Sequence, residues 1–238
     1  MFIDTFPPRT SVIALIEVLG YRELVANAYG ELRHTETLVE AKATLGEALE
    51  SFGSAEEESQ LESDSNFRVT SFSDTVVISD NLEGHGINRV LDTASRFAAA
   101  LLWRGFACRG GVTSGLLVHR EGLLLGPAMI AASDLKRGVA VYPRIVIADS
   151  LSLNSDEQPG HWRVIRDQDG LRFLDVFYGI RHVDRDDTTP GSRLERVRMV
   201  IEAQLRMTTA RPDVTAKWRW LDARFNIDGG DVPAGGDA

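Results

Sequence analysis

The 238-residue sequence predicts an α+β fold in which an antiparallel sheet is covered by helices on one face. Three segments lead to this prediction. Ser11 to Leu19 is an almost continuously apolar run, as expected for a covered strand. Phe67 to Ser79 has the pattern of a β-hairpin, and Ile87 to Arg104 has apolar residues at helical spacing. The predicted order, β-α-β-β-α-β, is the ferredoxin-like arrangement, which leaves the other face of the sheet free to pair with a second copy of the chain.

The segments between the first strand and the hairpin are predicted as two helices and a loop. Gly20 interrupts the first strand. Tyr21 to Ala28 and Leu32 to Phe52 are rich in Ala, Leu and Glu, which favour helix. Ser54 to Asn66 is acidic and polar without an apolar period, so we predict a mobile loop there. The hairpin itself turns at Ser73-Asp74.

The second half of the chain adds further strands and a set of C-terminal helices. Gly105 is predicted to end the preceding helix. The predicted strands are Phe106 to Gly115, Gly122 to Leu125, Arg144 to Ala148, and a hairpin of His161 to Arg166 with Leu171 to Val176. The predicted helices are Ala128 to Arg137, Ser192 to Met207 and Thr215 to Phe225. We divide the chain into a main domain over residues 1–180, a helical extension over 190–226 and a disordered tail over 227–238.

Composition narrows the class of protein. Apolar residues make up 43% and charged residues 26% of the chain, as in a soluble globular protein. The net charge of −9 argues against a broad nucleic-acid-binding surface. Cys108 is the single cysteine, which excludes an intrachain disulfide, and no Cys/His cluster has zinc spacing. No signal peptide or long apolar span is recognisable, so we expect a reduced, cytoplasmic enzyme or binding protein.

Two carboxylates on neighbouring predicted strands suggest a divalent-cation site. Glu17 lies inside an apolar run, where a carboxylate must be paired, protonated or bound to metal. Asp74 lies in the hairpin turn between two β-rich runs. Each has a simpler alternative, because Glu17 would also be satisfied by a salt bridge to an arginine, and Asp is common in turns for local reasons.

Three further positions are suited to phosphate binding. The turn Gly20-Tyr21-Arg22 leads from a strand into a helix, which presents backbone N–H groups and a positive helix end. Arg109 opens the third long strand ahead of two glycines, and Arg144 opens a later one. The alternatives are an ordinary strand-to-helix turn, a surface arginine at 109, and an arginine at 144 that only caps the sheet.

These segments together resemble the catalytic domain of class III nucleotide cyclases, and most closely the short bacterial pyrimidine cyclases of the Pycsar antiphage defence system. The resemblance covers residues 10 to 180. Residues 16–21, Ile-Glu-Val-Leu-Gly-Tyr, resemble the family motif Asp-Ile-x-Gly-Phe, and Ser73-Asp74 resembles the metal-binding hairpin turn. Arg109 matches a strand arginine that contacts the triphosphate, and residues 126–132 take the place of a helix that opens with glycine. The run 217–221, Lys-Trp-Arg-Trp-Leu, resembles the tail of the subgroup.

The resemblance implies two divalent cations per site, Mn²⁺ or Mg²⁺. Glu17 falls on the first metal ligand, Val18 on the adjacent carbonyl ligand and Asp74 on the second carboxylate ligand. Glu replaces the usual Asp at the first position and sets the charge about one C–C bond further out. Because Mg²⁺ is strict about geometry, this exchange favours Mn²⁺.

The expected base-binding positions depart from those of adenylate cyclases. The purine-reading Lys and Asp would fall near Thr70 and Leu123, which disfavours adenine. The Asn and Arg of the purine cyclases fall near Ile130 and Asp134, so a simple copy of their transition-state groups is absent. The residues expected to line the base or ribose pocket are Thr70, Phe72, Leu123 and Arg144.

The activity implied by the resemblance is conversion of UTP, less favourably CTP, to the 3′,5′-cyclic monophosphate and diphosphate. The implied partners are a second copy of the chain, with each site at the interface of a head-to-tail homodimer, and a separate effector activated by the cyclic nucleotide. One alternative is a catalytically degenerate nucleotide sensor on the same fold. Another is a polymerase-palm enzyme, against which the acidic charge argues because a polymerase needs cations that track phosphates.

Overall fold

The computed structural model describes residues 7–21, 66–83, 85–153, 162–186 and 193–229. The predicted helices beyond Tyr21, with Arg22, lie outside the described residues, as do positions 54–65 of the predicted loop and the tail from residue 230. No helix in the described part of the chain is long and apolar enough to cross a membrane.

The described strands and helices follow the predicted order closely. The strands are β1 (Arg9–Val18), β2 (Arg68–Phe72), β3 (Thr75–Asn81), β4 (Cys108–Arg120), β5 (Leu123–Leu125), β6 (Ile145–Ile147), β7 (Val164–Arg166) and β8 (Arg172–Leu174). The helices are α1 (Gly86–Trp103), α2 (Pro127–Asp134), α3 (Val176–Asp186), α4 (Arg193–Met207) and α5 (Pro212–Gly229). A π-helical turn, Leu135–Val139, continues α2.

The centre of the sheet has the ferredoxin-like order. Its strands lie in the order β2-β3-β1-β4-β6-β8-β7, and β5 pairs with β4. The four strands β2, β3, β1 and β4 are antiparallel to their neighbours, with α1 as the connection from β3 to β4. The α+β class, the ferredoxin-like order and the C-terminal helices are therefore confirmed.

Two details of the sheet differ from the sequence-based expectation. β6 runs parallel to β4, so the sheet is mixed, because the connection between them passes through α2 and can return the chain in the same direction. Helices also cover both faces of the sheet. Ala128 and Ala132 of α2 pack against Ile13 and Leu15 of β1, opposite the face that α1 covers. The continuous apolar character of β1 follows from this burial on two sides.

The main core lies between the sheet and α1. Val12, Ala14 and Ile16 of β1 pack against the apolar stripe of α1, including Phe97 and Leu101. The helix ends as predicted at Gly105, which has φ of +95°. The N–H of Gly105 donates to Leu102 O and that of Phe106 to Leu101 O, each at 3.0 Å, so the end is a Schellman motif that turns the chain into β4.

A second core joins the C-terminal helices to the outer side of α1. Leu102 and Ala99 of α1 contact a buried set from α3, α4 and α5, namely Phe177, Ile180, Val197, Ile201, Trp218, Leu221 and Phe225. The extension therefore packs on the main domain through a shared apolar core. This burial stabilises the position of α5, because each large side chain removed from water contributes about 1.5–3 kcal/mol.

Helix α3 was not predicted from the sequence, because the predicted strand ended at Val176 and the next predicted helix began at Ser192. The signal for it is Asp175, whose Oδ1 accepts hydrogen bonds from the N–H groups of Phe177 at 3.0 Å and Tyr178 at 3.2 Å. Asp in this position is a typical N-cap, so β8 ends at Leu174 and the helix begins at once.

Candidate active site

One cleft of about 520 Å³ gathers most of the residues predicted to bind metal and phosphate. It lies where β1 ends and the β2–β3 turn begins. The predicted site residues that line it are Glu17, Val18, Gly20, Tyr21, Asp74 and Arg109. Its volume lies within the range of roughly 300–1,000 Å³ that small-molecule sites occupy.

The sheet register explains this convergence. β1 lies between β3 and β4, and Glu17 is aligned with Thr75 on one side and Arg109 on the other. The N–H of Val18 donates to the carbonyl of Asp74 at 2.8 Å, which ties the end of β1 to the hairpin turn. Residues far apart in sequence thus meet at one end of the central strands.

Glu17 is held by two cations. Its Oε2 lies 2.8 Å from Arg109 Nε and 3.5 Å from Lys136 Nζ. Partial burial raises the pKa of the Glu17 carboxyl, but the hydrogen bond and charge of Arg109, with Lys136, outweigh that effect and hold the pKa below its usual value. The carboxylate is therefore ionised at neutral pH. Lys136, in the π-helical turn after α2, was not singled out by the sequence.

Asp74 is half-buried in the turn, and its carboxylate has fewer partners than that of Glu17. Its Oδ1 accepts a hydrogen bond from the Thr75 hydroxyl at 3.3 Å, and it forms no ion pair with any described residue. Ser73 beside it has φ of +55°, the left-handed conformation that closes the two-residue turn.

The oxygen donors at this end of β1 suit a hard divalent cation. Glu17, Asp74 and Val18 line the same cleft, and their two carboxylates and one backbone carbonyl are oxygen donors of the kind that a hard cation takes. No cluster of three or more His, Cys, Asp or Glu side chains occurs among the described residues, so a cation bound here would need water, backbone or ligand oxygens to complete its coordination. Arg109 and Lys136 compete with a cation for Glu17.

The glycines after Arg109 serve packing rather than ligand approach. A Cβ on Gly111 would lie 2.7 Å from the carbonyl oxygen of Ala132 and 2.7 Å from Cβ of Leu135. These atoms belong to α2 and the turn that follows it, so the absence of a side chain lets that segment lie directly on β4 and places Lys136 beside Glu17.

The predicted base-pocket residues do not line this cleft. The hydroxyl of Thr70 lies 2.8 Å from Nε2 of His119, whose Nδ1 lies 2.7 Å from the hydroxyl of Ser79. Phe72 is exposed near the end of β2, and Leu123 begins β5. Thr70, Phe72 and Leu123 are therefore absent from the lining of the cleft that contains the two carboxylates.

Arg144 is buried and paired with carboxylates, so it is not exposed to a ligand in the cleft. Its buried guanidinium forms ion pairs with Asp167 and Asp169. Asp167 also accepts hydrogen bonds from Arg224 at 2.5 Å and from Trp220 Nε1 at 3.2 Å. Arg144 thus connects the β7–β8 turn to α5, which agrees with the alternative that it caps the sheet.

The C-terminal helices supply a wall of the cleft that the sequence did not predict. The residues of this wall, on α4, α5 and the turn between them, are Gln204, Met207, Thr208, Arg211, Asp213, Val214, Lys217 and Trp218. The run that contains Lys217 and Trp218 was noted from the sequence only as a tail motif. Its position at the cleft follows from the packing of α5 on α1, a contact over more than one hundred residues of chain.

Comparisons with known proteins do not identify the function of this cleft. No protein-family model matches the chain, and no curated protein matches it in sequence. Among solved structures it is similar to a bacterial light-regulated adenylyl cyclase, with a TM-score of 0.44 and 12% sequence identity. The match covers 82% of this chain and 57% of that chain, so this chain spans little more than half the length of that cyclase structure. At this TM-score the likeness does not establish a shared activity, and the fold assignment rests on the sheet topology.

Proposed function

We propose that this protein is a nucleotide cyclase that converts UTP, or less favourably CTP, to the 3′,5′-cyclic monophosphate and diphosphate. The observation that carries the proposal is the convergence of Glu17, Val18, Asp74 and Arg109 on one cleft at the end of the central strands. Two carboxylates beside a strand arginine can serve a polyphosphate substrate and its cation together.

The proposed reaction is an intramolecular displacement. The 3′-oxygen of the ribose forms a bond to the α-phosphorus, and the bond from that phosphorus to the oxygen of the β-phosphate breaks. The 3′-hydroxyl proton passes to solvent, and diphosphate leaves. Positioning and charge neutralisation are the main requirements of such a transfer.

The predicted site residues that line the cleft each have a role in this reaction. Glu17, Asp74 and the Val18 carbonyl would hold two divalent cations, Mn²⁺ or Mg²⁺, which lower the pKa of a bound hydroxyl and neutralise phosphate charge when present. Arg109 would donate hydrogen bonds to the phosphates. Backbone N–H groups of Gly20 and Tyr21, just after β1, would bind phosphate oxygens.

A homodimer would complete the site. Thr70, Leu123 and Ile130 lie outside the cleft of their own protomer, so a second copy is needed if they read the base or contact the ribose. Leu116, Leu125 and Ile130, on β4, β5 and α2, are exposed apolar side chains that suit such a contact. Dilution below the dimer dissociation constant should abolish activity, and a monomer with full activity would contradict this arrangement.

The biological role that we propose is antiphage signalling. The resemblance to Pycsar cyclases motivates it, and the cyclic pyrimidine nucleotide would activate a separate effector. Cells that carry the gene with its neighbouring effector should resist phage infection, and Asp74→Ala should remove that resistance. Equal protection by the variant would separate the protein from this role.

The test of the activity is incubation of the purified protein with each of the four NTPs, first with Mn²⁺ and then with Mg²⁺, followed by mass spectrometry. We expect cyclic UMP or cyclic CMP from the wild type and none from Asp74→Ala. Both proteins should have the same circular dichroism spectrum. A folded wild-type dimer that yields no cyclic nucleotide with any NTP and either cation would refute the cyclase proposal.

The alternative of a nucleotide sensor has one observation in its favour. Glu17 already pairs with Arg109 and Lys136, and these contacts oppose cation binding at that carboxylate. A sensor would bind UTP or CTP without releasing diphosphate. Calorimetry that shows saturable binding, together with no diphosphate in a coupled assay, would favour this function over catalysis.

A further inference from the structure

The turn between α4 and α5 contributes residues to the cleft that contains the two carboxylates. Thr208 and Arg211 of this turn and Lys217 of α5 line the same cavity as Glu17 and Asp74. The two sides of the cavity therefore differ in origin: β1 and the hairpin turn form one, and the C-terminal extension forms the other.

This wall is held in place by hydrogen bonds and by burial. The hydroxyl of Thr215 lies within hydrogen-bond distance of the backbone oxygens of Thr208 and Arg211, and the hydroxyl of Thr208 donates to Gln204 O at 2.7 Å. Trp218, next to Lys217, is buried in the core that α5 shares with α1. Because its neighbour is anchored, Lys217 is carried on a fixed element and needs little ordering when a ligand binds.

Arg109, Lys136 and Lys217, three of the cationic side chains at or beside the cleft, differ in their partners. Arg109 and Lys136 both contact Glu17. Lys217 is half-buried at the cleft and forms no ion pair with any described residue. A half-buried ammonium without a carboxylate partner is suited to an anion that enters the cavity, and an ammonium binds phosphate as a compact point charge.

We propose that Lys217 binds the terminal phosphates of the nucleotide and the departing diphosphate. The inference rests on the proposed function for the identity of the substrate. In this arrangement the carboxylate side of the cleft holds the cation and the reacting α-phosphate, and α5 holds the far end of the triphosphate. The C-terminal extension is then part of the substrate site of its own protomer.

The test compares Lys217→Met with Arg219→Met, which removes a charge from the same helix at an exposed position that does not line the cleft. Calorimetry with inorganic diphosphate and with UTP, in the presence of Mn²⁺, measures binding without catalysis. Removal of one charge-assisted contact should weaken both affinities about tenfold in Lys217→Met. Binding of UMP, which lacks the terminal phosphates, should be unchanged, and Lys217→Arg should restore most of the loss.

The outcomes separate this inference from the proposed activity. Wild-type affinity for diphosphate in Lys217→Met, or an equal loss in Arg219→Met, would overturn the role of Lys217 even if the enzyme makes cyclic UMP. Weaker diphosphate binding in Lys217→Met alone would support the role even if no cyclic nucleotide is formed. Unfolding curves of all variants check that the affinity changes occur in folded protein.

Discussion

The buried histidine of β4 should make the stability of this protein depend on pH. His119 is 6% exposed, and its ring nitrogens lie within hydrogen-bond distance of the hydroxyls of Ser79 and Thr70. Burial, with a contribution from the charge of Arg68, lowers the pKa of His119 from 6.5 to about 4. The folded protein therefore keeps this ring neutral at pH values where the unfolded chain protonates it.

The sign and size of the effect follow from the two pKa values. Well above pH 6.5 the ring is neutral in both states and does not change the free energy of unfolding. As the pH falls from 6.5 towards 4, the unfolded chain binds the proton first and stability declines. Between pH 7 and pH 5 the expected loss is about 2 kcal/mol, from about 1.4 kcal/mol for each unit of pKa difference that is titrated.

Urea unfolding at pH 7 and pH 5, for the wild type and for His119→Gln, measures this loss. Gln retains a polar side chain but does not titrate, so the difference in unfolding free energy between the two pH values should shrink by about 2 kcal/mol in the variant. Other groups titrate in both proteins and cancel in the comparison. An equal pH dependence in wild type and variant would refute the assignment of a neutral, buried His119.

Three further predictions concern stability. Gly111→Ala should lower the free energy of unfolding by about 1–3 kcal/mol, since its Cβ would collide with Ala132 O; an unchanged urea midpoint would contradict the close approach of α2 to β4. Arg144→Met should lower the free energy of unfolding by about 3 kcal/mol, because it breaks the buried ion pair with Asp167. The affinity of the folded variant for UTP, measured by calorimetry, should equal that of the wild type, and a weaker affinity would show that Arg144 contributes to nucleotide binding. Asp175→Ala should lower the melting temperature, because it removes both the α3 cap, worth about 1 kcal/mol, and the ion pair of the buried Asp175 with Arg163; unchanged melting would argue against both contacts.

Local sequence patterns predicted the elements of this fold well, but not their environment. The apolar run of β1, the turn at Ser73-Asp74 and the stop at Gly105 depend on neighbours in sequence, and each lies where it was expected. The position of α2 on the second face could not be foreseen in the same way. It depends on Gly111, whose missing side chain admits a segment from more than twenty residues later in the chain.

The same limit applies to the candidate site. Glu17 and Asp74 could be predicted as site residues because a carboxylate in an apolar strand, or in the turn between two strands, indicates a bound cation or an ion pair. Lys136 and Lys217 gave no such signal, since lysine is common on helices and its partners here are set by tertiary contacts. Thr70 and Leu123 were predicted from a family resemblance, and neither lines the cleft, because the positions of β2 and β5 relative to it are set by tertiary structure.

The ion pair of Glu17 with Arg109 couples the binding of the two proposed ligands, the divalent cation and the nucleotide. A cation at Glu17 and the guanidinium of Arg109 compete for one carboxylate, 2.8 Å from Nε in this structure. A triphosphate offers Arg109 another anion, and its arrival would free Glu17 for the cation. Nucleotide and cation should therefore bind cooperatively in an enzyme, each raising the affinity for the other by the same factor. In a sensor that retains the pair, nucleotide affinity would not depend on the divalent cation at Glu17, so the coupling itself distinguishes the two functions.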